Sequence, residues 1–211
     1  MHRFLIKIPF WVRWIFPRYI WRMPTRKKVL YLTFDDGPHP EITAFVLDQL
    51  KQYGAKATFF CIGKNVLAHS GTYQRILSEG HGVGNHTHNH LNGVHTANDV
   101  YLANIGEAAR HIDTRLFRPP YGRIRSSQAK QVAVAMQKPE AKIIMWDVLS
   151  ADFDQGISPG QCLQYVVRNA RPGSVIVFHD SEKAYRNMAY ALPRVLSYFM
   201  ERGYQFQPLV L

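Results

Sequence analysis

Three histidines within five residues, His86, His88 and His90, form the densest group of metal-binding side chains in the 211-residue chain. His86 and His90 are four apart and share one face of any helical turn, so their imidazoles can chelate a divalent ion, while His88 points elsewhere. Two adjacent carboxylates, Asp35 and Asp36, follow the run Leu30-Tyr31-Leu32-Thr33-Phe34 and precede Gly37-Pro38. Neighbouring side chains at a strand end point apart, and like charges this close repel unless a cation is present. An ion held by one aspartate leaves the other free as a base, and two imidazoles with one carboxylate supply the three protein ligands of an open catalytic site. D-D-G-P is also a good turn sequence, and that segment alone leaves both readings open.

Two further segments carry chemistry. In Arg118-Pro119-Pro120-Tyr121-Gly122 the prolines stiffen the backbone, fixing an arginine and exposing the amide that follows. A rigid amide aimed at a reacting carbonyl is half of an oxyanion hole, although the segment also reads as an ordinary rigid turn. Val175-Ile176-Val177-Phe178-His179-Asp180 ends an apolar run in a histidine, the natural proton donor to a leaving amine.

The elements that must position these groups alternate along the chain. Strands are predicted over 29–33, 57–62, 82–85, 116–118, 142–146, 174–178 and 205–210. Helices are predicted over 42–53, 72–78, 97–112, 128–137, 159–169 and 183–202, with Ser158 as N-cap and Pro159 at the first helical position. Such alternation indicates a parallel α/β architecture, and periodicity alone does not separate a barrel from an open sheet. Asp35, Asp36, His86, Arg118, Asp147 and His179 each follow the end of a predicted strand. Several strand ends contributing to one site favours a barrel.

Taken together, these segments resemble carbohydrate esterase family 4, the polysaccharide deacetylases that share the NodB-homology domain. Thr33-Phe34-Asp35-Asp36-Gly37-Pro38 is similar to its T-F-D-D-G-P motif, and His86-Thr87-His88-Asn89-His90 to its H-[ST]-x-x-H. Arg118-Pro119-Pro120-Tyr121-Gly122 matches R-x-P-Y-G, and Val177-Phe178-His179 resembles L-x-H with valine for leucine. The resemblance covers residues 29–211 and implies a distorted (β/α)7 barrel. It also implies roles: Asp35 as general base, and Asp36, His86 and His90 holding zinc or another divalent ion such as cobalt or nickel. Arg118 would orient Asp35, the Tyr121 N–H would stabilise the oxyanion, His179 would be the general acid and Val177 would line the acyl pocket. One motif departs. The family's W-x-x-D-x-x-D-W reads here Trp146-Asp147-Val148-Leu149-Ser150-Ala151-Asp152-Phe153, so Leu149 replaces its first aspartate and Phe153 its last tryptophan. Asp152 remains to partner His179, with Asp147 or Asp154 as substitutes. The activity implied is metal-dependent removal of an N-acetyl or similar small acyl group from a sugar or polysaccharide. The alternatives are deformylation or deacetylation of a lipid-linked sugar, hydrolysis of another small amide, and an inactive carbohydrate-binding module.

The net charge of +11 suggests a nucleic-acid binder, but its distribution argues otherwise. Residues 1–28 hold eight basic residues and no acid, and the other 18 of the 26 basic residues face 15 acidic ones. The catalytic body, 29–211, is therefore nearly neutral, and no nucleic-acid partner is expected. The basic segment, 1–28, also carries Phe4, Phe10, Trp11, Trp14, Phe16, Tyr19 and Trp21. Interleaved aromatics and cations suit a membrane interface; alternatively the aromatics fold back on the domain as an extra layer. Pro9, Pro17 and Pro24 prevent one long helix. No signal peptide is visible, so the expected location is the cytoplasm or the cytoplasmic face of a membrane. Cys61 and Cys162 are expected as buried free thiols.

Overall fold

The apolar run Val29–Asp35 forms the central strand of the computed structural model, which describes residues 5–211, and all seven of its residues are buried. A strand covered on both faces reads as such a continuous run. Among the described residues nine strands build the sheet: β1 Tyr19–Ile20, β2 Val29–Asp35, β3 Thr58–Cys61, β4 Gly82–Asn85, β5 Leu116–Phe117, β6 Lys142–Ile144, β7 Val148–Leu149, β8 Val175–His179 and β9 Gln205–Phe206. Their order is β1-β6-β5-β4-β3-β2-β8-β7, β9 pairs with the start of β2, and every pairing is parallel. The helices are α1 Val12–Ile15, α2 Ile42–Gln52, α3 Gly63–Ala68, α4 Ser70–Ser78, α5 Asn98–Ala109, α6 Ser126–Ala129, α7 Val132–Ala135, α8 Pro159–Asn169 and α9 Glu182–Met200. The result is the curled, distorted α/β barrel that the resemblance implies.

Strand alternation sorts the two faces. Leu30, Leu32 and Phe34 of β2, with Ile176 and Phe178 of β8, join the large core beneath α2, α8 and α9. Val29, Tyr31 and Val175 belong to a smaller cluster with Phe60, Leu116 and Ile144. Continuing that second face along β2 and β8 leads to Thr33 and Asp35, and to Val177 and His179.

The predicted strand over 142–146 ends early. The chain leaves the β6 edge after Ile144, passes through Met145-Trp146-Asp147 and re-enters as β7 at the opposite edge. The predicted helix over 128–137 divides into α6 and α7. Buried Gln128 pins the first turn by donating to Gly93 O at 2.8 Å, while Val132 and Met136 pack into the core from the second.

Residues 1–4 of the basic segment, Arg3 and Phe4 among them, lie outside the described residues, and residues 5–28 cover both sheet edges. Tyr19–Ile20 pairs with β6, and Lys7 bridges Val148 in antiparallel sense. Ile8 N donates to Asp147 O at 3.0 Å, and Leu149 N donates to Ile6 O at 2.9 Å. Ile8 and Trp21 are buried, and Lys7 Nζ lies 2.6 Å from the fully buried Asp147. Between these two passes the chain stands proud of the fold: Phe10 is 63% exposed and Trp14 77%, their rings edge to face at 5.5 Å. Cys61 and Cys162 are free and buried.

Candidate active site

The parallel ladder brings the predicted chemistry to one edge. Asp35 and His179 are paired residues of β2 and β8, and β4 ends at Asn85 beside His86. Arg118 follows β5 and is wholly buried, which demands that its donors be satisfied. Its Nη1 donates to Asp35 Oδ1 at 2.6 Å and to Thr33 Oγ1 at 2.8 Å. Nη2 donates to Met145 O at 3.0 Å and Nε to Ile144 O at 3.2 Å, with Phe60 stacked 4.0 Å beneath the guanidinium. One face of Asp35 is thereby fixed.

Asp36 turns the other way. Its Oδ1 lies 3.2 Å from His90 Nε2 and 3.7 Å from His86 Nε2, yet it is buried without a well-formed hydrogen bond. Donor atoms of Asp36, His86 and His90 all lie within 4.8 Å of one another. Burial alone would raise the Asp36 carboxyl, but the close approach of His90 and the charges of His179 and His86 outweigh it and hold it well below the usual range. Burial pushes His86 down to about 4 despite Asp35 nearby, leaving a neutral imidazole. His86 Nδ1 sits 2.8 Å from Arg118 O, which orients Nε2 toward Asp36. An orphaned carboxylate oxygen, a neutral imidazole held by its far nitrogen and a second imidazole fit a divalent cation.

His179 is held at both ends by Asp152: its N–H donates to Oδ2 at 2.7 Å, and Nδ1 lies 2.8 Å from Oδ1. Burial would depress this imidazole, but the charge and hydrogen bond of Asp152, helped by Asp36 and Asp35, raise it to about 9. The suggested substitutes for Asp152 do not serve. Asp147 is committed to Lys7 and Ser174, and Asp154 accepts from Gly156 N, so neither faces His179.

Tyr121 completes the arrangement. Gly122 N and Arg123 N donate to Pro119 O and Pro120 O, whereas no backbone carbonyl among the described residues takes the Tyr121 N–H. Tyr121 has φ 60°, and Gly122 lies so close to Trp146 that a Cβ would come within 2.5 Å of its ring. Left-handed backbone at a non-glycine residue persists only where the surroundings over-determine it. Asp36 (φ 85°), Thr87 (64°), His90 (57°) and Tyr121 all show it, so the strain is concentrated at this edge. Asp35, Asp36, His86, His90, Tyr121 and His179 line a cavity of about 730 Å³, with Arg118 and Asp152 buried behind them. Leu149, Val177, Trp146 and Phe153 form its apolar side, with Arg123 and Lys183 also in the lining.

A family model described as polysaccharide deacetylase matches residues 22–138, more than half of the chain. The chain belongs to the polysaccharide deacetylase family. It is 33% identical over 193 residues to a peptidoglycan-N-acetylglucosamine deacetylase of Bacillus cereus, covering 88% of each chain. It is 30% identical to a chitooligosaccharide deacetylase of Azorhizobium caulinodans, covering 89% of this chain and 96% of that one. Among solved structures, a crystal structure of a peptidoglycan N-acetylglucosamine deacetylase in complex with a naphthalenyl N-oxidanyl-benzamide superposes with a TM-score of 0.83 at 32% identity. The superposition covers 96% of this chain and 95% of that one.

Within this polysaccharide deacetylase, the residue that departs from the tryptophan-aspartate motif has a definite place. Leu149 pairs in register with Val177 and lengthens the apolar wall of the cavity. Sequence reasoning missed the support beneath the aspartates. Asp180 Oδ1 accepts from Gly37 N at 3.0 Å, and its Oδ2 accepts from Thr43 Oγ1 at 2.5 Å. Asn65 Nδ2 donates to Asp36 O at 2.7 Å. The available signal was Gly37 itself, where a Cβ would fall 2.0 Å from Asp180 Oδ2.

Proposed function

We propose that this protein removes acetyl groups from the amide nitrogen of an acetylated carbohydrate, with zinc as its divalent ion. The observation that carries the reading is the convergence on one cavity of an Asp-His-His ligand set, an arginine-held carboxylate and a carboxylate-held imidazole. Asp36, His86 and His90 would hold the ion, which when bound polarises the acyl carbonyl and acidifies water. Asp35, oriented by Arg118, accepts the proton of the attacking water. The Tyr121 N–H donates to the oxyanion, where a preorganised donor contributes most. His179, charged near neutral pH and oriented by Asp152, protonates the departing nitrogen, and acetate and a free amine result. Val177, with Leu149 and Trp146 beside it, encloses the methyl group, and a bulkier acyl group would meet this wall.

The test is acetate release from N-acetylglucosamine oligomers and from other acetylated glycans, after chelation and again after zinc is restored. Absence of acetate from the whole panel with metal bound would reject the reading in favour of a binding module. Release of formate, or cleavage confined to a lipid-linked sugar, would redirect it to that substrate.

The segment between the two N-terminal passes supports a second element of the proposal, peripheral contact with an anionic lipid surface. Phe10, Trp11, Trp14, Ile15 and Phe16 are all exposed on and around α1, with the exposed Arg18 close by in sequence, while Arg13 turns toward Asp147 at 3.9 Å. Rings at headgroup level and cations worth about 1 kcal/mol each suit this contact. Among the described residues no helix is long and apolar enough to cross a membrane.

A further inference from the structure

His88 takes no part in the site above. Its ring leaves the His86–His90 turn on the other side and comes to rest near the end of α5, with its centroid 6.2 Å from that of His111. His88 Nδ1 is buried without a partner, against Gly63, where a Cβ would come within 2.7 Å of it. The bare glycine is what admits the imidazole there. Glu107, on α5, and His111, just past its end, are four apart, and His111 Nε2 lies 3.7 Å from Glu107 Oε1. The other carboxylate oxygen of Glu107 accepts from Arg110 Nη1 at 2.7 Å. Donor atoms of His88, Glu107 and His111 lie within 4.8 Å of one another, and all three residues are half-buried.

We propose that His88, Glu107 and His111 form a second divalent-cation site, which ties the turn carrying His86 and His90 to the end of α5. Two imidazoles and one carboxylate are the donors that zinc, cobalt and nickel prefer. Around a tetrahedral ion with bonds of about 2.05 Å the donors stand about 3.3 Å apart, so the Glu107–His111 pair is already near that spacing. Small side-chain rotations bring His88 in, and Arg110 leaves one Glu107 oxygen to the ion. The backbone of the turn is held to the same helix: Asn104 Oδ1 accepts from His88 N at 3.0 Å and Asn89 N at 2.9 Å. An ion at His88 adds a side-chain tether to this backbone one, midway between His86 and His90, and opposes relaxation of the left-handed Thr87 and His90.

The experiment is a metal count on the full chain. Protein stripped with chelator is equilibrated with zinc, freed of excess by gel filtration and assayed for bound metal, alongside Glu107→Gln, His111→Ala and His90→Ala. The expected result is two equivalents in the native sequence and one in each variant. The variants at 107 and 111 should lose the second ion alone and His90→Ala the first, so failure here is separable from failure of the catalytic site. One equivalent in the native protein, or two that persist in both Glu107→Gln and His111→Ala, overturns the second site. Hydrogen exchange over residues 86–91 reads the tether. It should slow several-fold when the second equivalent binds in the native protein and stay unchanged in His111→Ala; equal exchange in both overturns the stiffening role.

Discussion

Asp35 and His179 are lateral partners in the parallel ladder between β2 and β8, so the carboxylate and the imidazole sit side by side at one strand edge. They are kept apart in role by what holds each from behind: Arg118 for Asp35, and Asp152 for His179. Asp36, next in sequence, faces the histidines instead.

That separation predicts different losses from neighbouring substitutions. Asp36→Ala, His86→Ala and His90→Ala should each lose the catalytic metal, whereas Asp35→Asn should retain it and lose about 10²–10⁴-fold in kcat. Metal analysis beside steady-state rates checks this, and equal metal loss in Asp35→Asn would show the two aspartates to be misassigned.

Arg118 and Asp35 form a buried ion pair, and removing one member leaves an uncompensated charge. Arg118→Leu should destabilise the fold by about 3–5 kcal/mol, and adding Asp35→Leu should recover part of this. Urea unfolding of the two single variants and the double variant measures the coupling. Strict additivity would mean that the two side chains do not interact energetically.

His179 is raised to about 9 in the folded chain from an ordinary value near 6.5. The folded state therefore favours the protonated ring, whose contribution to stability is complete below about pH 6.5 and fades as pH rises through about 9. Asp152→Asn removes the main attraction and should flatten this alkaline loss in thermal melts of the metal-free protein. It should also move the alkaline limb of kcat to lower pH. An unchanged profile in Asp152→Asn would assign the titration to another group.

Gly37 and Gly71 should respond oppositely to alanine. A Cβ at Gly37 meets the Asp180 carboxylate, and overpacking of this kind costs about 1–3 kcal/mol, with weaker metal binding as the Asp36 turn shifts. A Cβ at Gly71, within α4, meets nothing within 4 Å and should stabilise by about 0.5–1 kcal/mol. Calorimetry on both variants decides; a neutral Gly37→Ala would mean that Asp180 does not support the turn.

Lipid contact is tested without touching the fold by replacing exposed rings alone. Trp11→Ser with Trp14→Ser should leave melting within a few degrees and acetate release intact, while binding to anionic liposomes falls at least tenfold. If the native protein ignores such liposomes, the lipid proposal is wrong.

The motifs made the site legible because each lies at the end of a strand whose apolar run is unmistakable, as in Val29–Asp35 and Val175–His179. The Ser158 cap was legible too, and its side chain accepts from Gln161 N. Tyr19–Ile20 and Val148–Leu149 were not, since two residues give alternation nothing to repeat, and their pairing partners are distant in sequence. Asp180 escaped notice because its neighbour His179 carries the chemistry, and its own partners, Gly37 and Thr43, are 143 and 137 positions away. Leu149 announced itself only as a departure from a motif; its place in the cavity wall required the register with Val177.

The two N-terminal passes over the sheet edges bear on how the chain is synthesised. Lys7 is made before its partner Asp147, which comes 140 residues later, and the β6 edge that receives Tyr19–Ile20 likewise follows its partner. Such long-range closure is entropically slow, since the intervening chain must order before the contact can form. On the ribosome the segment around Trp14 therefore waits unpaired while the inner strands assemble, and the sheet edges are sealed only after β6 and β7 have emerged.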